Sequence, residues 1–322
     1  REKHDAGLRT LPAALAGAGE RVVLTDPWYI SFDGDRSNSQ FQGLPGTTSV
    51  NLDGVYSDLY FRDHPLSENS VEVLSFDYDI LARFSVLRMM PPAVRPSVYD
   101  DGRWWIVASG DHVSGYVLSG YPNLFYLSQL SVVDQGPDSA NFFFSEVFHD
   151  TGAFDASGTL TGASIDVSAE DQEQFGNVYS ARNIYDGRVI FARIAGWFRW
   201  MKAQGIWDNT RIVVVSDHGH PLAEGKFGPN PWYRPLILFK DYAAQGPVRT
   251  DETLKTDADV PALLTAGLPG AIPGRSPDDQ PIIHDGPDSS DRQGPDSFLF
   301  TRTIRLTGGD ARVPAHWLEV KP

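Results

Sequence analysis

Ile206-Trp-Asp-Asn-Thr-Arg-Ile-Val-Val-Val-Ser-Asp-His-Gly219 is the stretch on which both the fold and the chemistry turn. Asp208-Asn209 supplies a turn, and the β-branched run Ile212 to Val215 predicts a strand buried on both faces. Gly219 permits the sharp exit that leaves Asp217 and His218 at the strand tip. In open α/β sheets that end of the strand is where ligands bind. A carboxylate and an imidazole side by side can hold one divalent ion or split between two, and an ion there stabilises charge on a phosphoryl or sulfuryl oxygen. The plainer alternative is a strand-end turn with a capping Asp and an incidental His, and taken alone Asp-His-Gly is a weak signal.

Outward from that strand, the spacing of Ile184, Val189, Phe191, Ile194, Trp197, Phe198 and Met201 predicts a long helix over Tyr179 to Gln204, stopped by Gly205. Farther upstream, Asn141 to Glu146 is a short apolar strand running into a second polar tip at His149. Residues 7 to 17 read as a helix ended by Gly17 and Gly19, followed by a strand from Arg21 to Thr25 and a break at Asp26-Pro27. Residues 31 to 51 read as a long loop or lid, 74 to 90 and 115 to 130 as helical, and 153 to 177 as an exposed polar excursion. Downstream, Pro235 to Phe239 reads as a buried strand and Asp259 to Ala266 as a short helix with Pro261 in its first turn. Gly-Pro-Asp-Ser recurs at 136, 286 and 294, a turn tetrapeptide at unequal spacing and not a structural repeat. The expected fold is α/β, a predominantly parallel sheet flanked by helices. Its domain spans 1–268, with 269–322 an irregular extension or small subdomain.

A chain of 322 residues can bury a full core. Its formal charge of -15 argues against a polyanion such as nucleic acid as a bulk-attracted partner. With no Cys, disulfides, thiol catalysis and cysteine-ligated zinc are excluded. No apolar run approaches the ~20 residues needed to span a bilayer. Because the chain opens directly on the amphipathic pattern Leu8, Leu11, Ala14, Leu15, it reads as entered in the middle of a domain.

The phrase Trp207-Asp-Asn-Thr-Arg-Ile212, a hydrophobic run, then Ser216-Asp-His-Gly219 resembles the second metal-binding motif of the sulfatase-like branch of the alkaline phosphatase superfamily. Lys3 to Pro12 with Val22 to Tyr29, Phe84 to Arg88 with Pro91-Pro92, Tyr121 to Leu124, Arg234 to Asp241 and Thr256 to Pro261 look like further pieces of that pattern, in order. They resemble the extracytoplasmic domain of bacterial membrane proteins related to the lipoteichoic acid synthases. The resemblance implies that Asp217 and His218 are ligands of a divalent ion such as Mn, Mg, Zn or Ca, and that His149 binds a substrate phosphate or sulfate oxygen. Here His149 is followed by Asp-Thr-Gly, where relatives more usually carry an acidic residue and Pro. His220 and Lys226 are candidate contacts to a substrate oxyanion. The family's catalytic Thr or Ser and first metal carboxylate are not evident, so the nucleophile is expected upstream of Arg1.

The expected activity is that of a metal-dependent hydrolase or phosphotransferase on phosphate or sulfate esters. A lipid head group or cell-envelope precursor is one candidate substrate, and the location would be extracytoplasmic, membrane-anchored through an N-terminal region. The alternative is a non-catalytic sulfatase-fold module used in binding or assembly. Asp26 as a metal ligand and Thr47 or Thr48 as a nucleophile are disfavoured by chain order. Asp100-Asp101, Asp278-Asp279 and His112 read as loop residues, and His64 and His284 take no assignment.

Overall fold

The computed structural model describes residues 2–31, 36–66, 85–99, 115–134, 136–161, 165–228, 231, 234–251, 253, 255–274, 282–285, 302–306 and 317–319. Helix α1, Glu2–Gly17, ends where Gly19 takes φ 100°. There Glu20 N bonds to Leu15 O and Gly19 N to Ala16 O, both at 3.1 Å. Such a paired closure needs a left-handed residue, which glycine adopts without a Cβ penalty.

Strand β1, Arg21–Thr25, follows at once and is central to a parallel sheet of order β2-β1-β3. β2 is Thr47–Val50, with Val22 opposite Thr47, and β3 is Ser139–Phe143, with Arg21 opposite Ser139. Val22 and Leu24 are fully buried against Leu15 and Phe41, so the helix-then-strand unit read from the sequence is the seat of one core. An α/β class with a parallel sheet flanked by helices is therefore what the chain adopts. β2 corrects the reading of 31–51 as loop throughout. Its residues are Thr-Thr-Ser-Val with alternate residues exposed, and pairing to β1 supplies an order that no hydrophobic run announces.

A second core joins α2, Ser57–Asp63, to α3, Gly115–Phe125, through Tyr60, Val117, Tyr121 and Leu124. Val147, Ala153, Phe154 and Ile190 complete it. Buried Ala153, Phe154, Ile165 and Phe175 overturn the expectation that 153–177 is an exposed excursion, and its last part is helix α4, Ala169–Phe175. α5, Val178–Ala203, is the expected long helix. Asn177 caps it by accepting from Ser180 N at 2.7 Å, and it closes with Ile206 N on Met201 O and Gly205 at φ 73°. Of the helix expected over 74–90, only 85–90 falls among the described residues, and 85–89 is helical.

The Asp-His-Gly strand departs most from expectation. β4, Ile212–Val215, pairs antiparallel with β5, Ile237–Lys240, in a two-stranded ladder separate from the parallel sheet. It is not buried on both faces, since Val215 is 44% exposed and Leu238 and Phe239 of β5 are exposed too. A β-branched run signals apolar surface but not the direction of its partner. The chain returns here through α6, Glu224–Phe227, so a neighbouring antiparallel strand is within reach. α7, Val260–Thr265, packs beside β4 and α1. The tail, expected to be irregular, contains an antiparallel sheet β6-β7-β8 built from Ile282–Asp285, Arg302–Leu306 and Trp317–Glu319. No described helix is long and apolar enough to cross a membrane.

Candidate active site

The site assembles from two loops, one after β3 and one after β4. Beyond β4 the ladder extends by Ser216 N on Leu236 O at 3.1 Å and Leu236 N on Ser216 Oγ at 2.8 Å, which fixes where the next residues emerge. Asp217 follows with its side chain 89% exposed, its Oδ1 accepting from His218 N at 3.0 Å. His218 Nδ1 lies 2.6 Å from Gly219 O, and because a carbonyl only accepts, Nδ1 carries the proton. The other ring nitrogen, Nε2, faces Asp217 Oδ2 at 3.6 Å. A carboxylate and an imidazole Nε2 side by side suit one divalent ion, with the second ring nitrogen held by a backbone carbonyl as metal-binding imidazoles usually are. Gly219 is required by packing more than by dihedral freedom. A Cβ there would collide with the Pro231 carbonyl oxygen and stand 2.9 Å from that of Arg234.

On the other loop, His149 is about half exposed, with Nδ1 3.2 Å from Asp150 Oδ1 and its ring 5.5 Å from Tyr116 at 64°. His220 joins the two loops. Nε2–H donates to Phe148 O at 2.8 Å, and Tyr179 O–H, from the first turn of α5, donates to Nδ1 at 2.9 Å. Burial, with the neighbouring His218 and His149, lowers the His220 pKa, so the ring is held neutral. Both of its nitrogens are engaged by protein groups, which makes it a tie between loops in this arrangement; contact with an oxyanion would require releasing one of them. Lys226 sits exposed on α6 against the Gly176 turn, and none of the described hydrogen bonds or ion pairs links it to Asp217, His218 or His149.

Two carboxylates outside the sequence-derived set belong to this region. Glu146, three residues before His149, has its pKa raised by burial and by the charges of Asp217 and Asp150, against the lowering effect of His149 and His218. Asp257, in the turn before α7, is pushed up to about 6, first by burial and then by the charge of Asp217. Its Oδ1 is buried without a hydrogen-bond partner. Asp217 thus acts on both carboxyls, and Glu146 also feels His149, Asp150 and His218. Among the described residues no three His, Asp or Glu side chains are arranged to hold a metal ion together, so Asp217 and His218 stand as a pair of donors.

Asp26, disfavoured as a ligand, is a buried structural acceptor at the tip of β1. Its Oδ1 takes Leu52 N at 2.7 Å and Asp53 N at 2.9 Å. Thr47 and Thr48 lie in β2. His112 and the acidic pairs at 100–101 and 278–279 fall outside the described residues. Comparison with protein-family models, curated proteins and solved structures finds no match for this chain.

Proposed function

We propose that this chain belongs to a metal-dependent hydrolase or phosphotransferase that acts on phosphate or sulfate esters, of the sulfatase-like kind its motifs resemble. The observation that carries the reading is the bridging of the His149 loop to the Asp217-His218 loop by His220, with the carboxyls of Glu146 and Asp257 close enough for the charge of Asp217, after burial, to raise their pKa values. Two polar strand tips joined at one place are what a site for an anionic ester needs.

In this reading Asp217 and His218 hold a divalent ion, which supplies charge stabilisation at the phosphoryl or sulfuryl oxygen. His149, exposed and stacked edgewise on Tyr116, donates from its imidazole to a second oxygen of the same group. His220 keeps the two loops at fixed separation. Glu146, with its raised pKa, is placed to hold or take a proton beside His149. The attacking group would be a Thr or Ser hydroxyl, and the location would be extracytoplasmic.

The test is the metal content of the purified chain after dialysis against mixed Mn, Mg, Zn and Ca, measured by elemental mass spectrometry beside Asp217→Ala and His218→Ala. Stoichiometric metal that is lost in both variants supports the reading. Equal retention in wild type and variants removes Asp217 and His218 as ligands and shifts weight to a non-catalytic binding module.

A further inference from the structure

The long helix carries a carboxylate that apolar spacing passes over. Asp186 is 1% exposed in the second turn-pair of α5, and its two oxygens collect three successive backbone N–H groups from the turn that follows His149. Gly152 N lies 2.6 Å from Oδ2, while Ala153 N and Phe154 N lie 3.2 Å and 2.9 Å from Oδ1. A turn that presents consecutive N–H groups is an anion-binding nest, here filled by the chain's own side chain. The surroundings hold the turn against the helix. Gly152 takes φ 95°, and a Cβ on it would stand 3.1 Å from Arg182 Cδ. Arg182 in turn donates through Nε and Nη2 to Ile165 O. Gly187, next to Asp186, lets the Phe148 ring approach to 3.4 Å of where its own Cβ would be.

Along the same helix, Tyr179 donates to His220 and Ser180 Oγ accepts from Ala223 N at 2.9 Å. α5 therefore grips both site loops, and Asp186 is the α5 side chain that hydrogen-bonds the 152–154 backbone of the one carrying His149. We propose that Asp186 is a positioning residue for His149, acting through the 150–154 turn to set where the imidazole meets an anion. The inference rests on the reading of His149 as an anion-binding side chain. Asp186 itself touches neither anion nor metal. Its carboxylate saturates the turn's N–H groups, so the segment leaving His149 has one conformation and the ring keeps its place against Tyr116.

The test uses the full chain in magnesium buffer, titrated with inorganic phosphate and followed on the histidine Cε1–H resonances, with His149 assigned by His149→Ala. In Asp186→Asn, which keeps the shape but turns a donor amide toward N–H groups, hydrogen exchange at 152–154 accelerates and phosphate binding at His149 weakens about tenfold. Gly152→Ala strains the same turn from its other side and gives the same pair of changes, which serves if Asp186→Asn does not fold. Faster exchange at 152–154 with unchanged phosphate affinity overturns the inference and makes Asp186 a fold anchor only. Phosphate binding that survives His149→Ala undiminished overturns the reading of His149, and this inference with it.

Discussion

Gly219 shows how a single residue was legible for one reason and required for another. Its place after Asp-His suggested a sharp exit from the strand, whereas the constraint is the backbone of Pro231 and Arg234 pressed against its Cα. Gly219→Ala must push that backbone away, and we expect a loss of about 2–4 kcal/mol in urea unfolding. A loss within error of zero would show that the loop yields freely. Tyr179→Phe removes the O–H that favours the neutral His220 ring. The expected result is about 1 kcal/mol less stability and a His220 pKa that moves upward in an NMR titration. An unmoved titration would mean that Tyr179 does not fix the ring. Asp217, His218 and His149 were visible in the sequence because a motif or a strand tip marks them. Glu146 and Asp257 were not, because a carboxylate acquires its partners through burial and through a loop far along the chain, and no spacing encodes that.

At the scale of the element, α5 was legible in length and stop, since its 3.6-residue apolar period and Gly205 both lie within one window of sequence. Its buried side was not. Ser180, Asn183 and Asp186 are buried with Ala181, Tyr185, Ile190 and Met201, and a hydrophobic pattern assigns such polar residues to solvent. What holds Ser180 and Asp186 inside is hydrogen bonding to segments elsewhere, Ala223 N for Ser180 and the 152–154 turn for Asp186. The strands show the complementary failure. β2 carries too little apolar character to be seen alone, and β4 advertises apolar residues without saying whether its partner runs parallel or antiparallel. The helix stop gives the clean test at this scale. Gly205 at φ 73° meets nothing where a Cβ would be added, so Gly205→Ala isolates the left-handed backbone cost. Thermal or urea unfolding should register about 1 kcal/mol, and a neutral outcome would mean that the helix end refolds around alanine at no cost.

Across the whole molecule, a formal charge of -15 is set against several carboxyls that burial holds toward their neutral form: Glu20, Asp26, Glu146, Asp186 and Asp257 all have raised pKa values. The charge could be read from composition, but these shifts could not, since they come from which side chains the fold encloses. For Asp186, burial outweighs three N–H donors and puts the folded pKa at about 6, while an unfolded aspartate titrates near ~3.9. Between those values the folded protein binds more protons than the unfolded chain, so stability falls as pH rises through that window and levels off above it. The contribution is about 2–3 kcal/mol, and Asp186→Asn lacks it. The difference in unfolding free energy between wild type and Asp186→Asn should therefore shrink by that amount from the acid side of the window to neutral pH, with self-repulsion common to both largely cancelling. Added salt should stabilise both proteins at neutral pH by screening that repulsion, and should leave the difference nearly unchanged because a buried carboxyl is screened little. A difference that grows with pH would mean instead that the three N–H donors of the 152–154 turn outweigh burial, and that the ionised carboxylate is the form the folded turn favours.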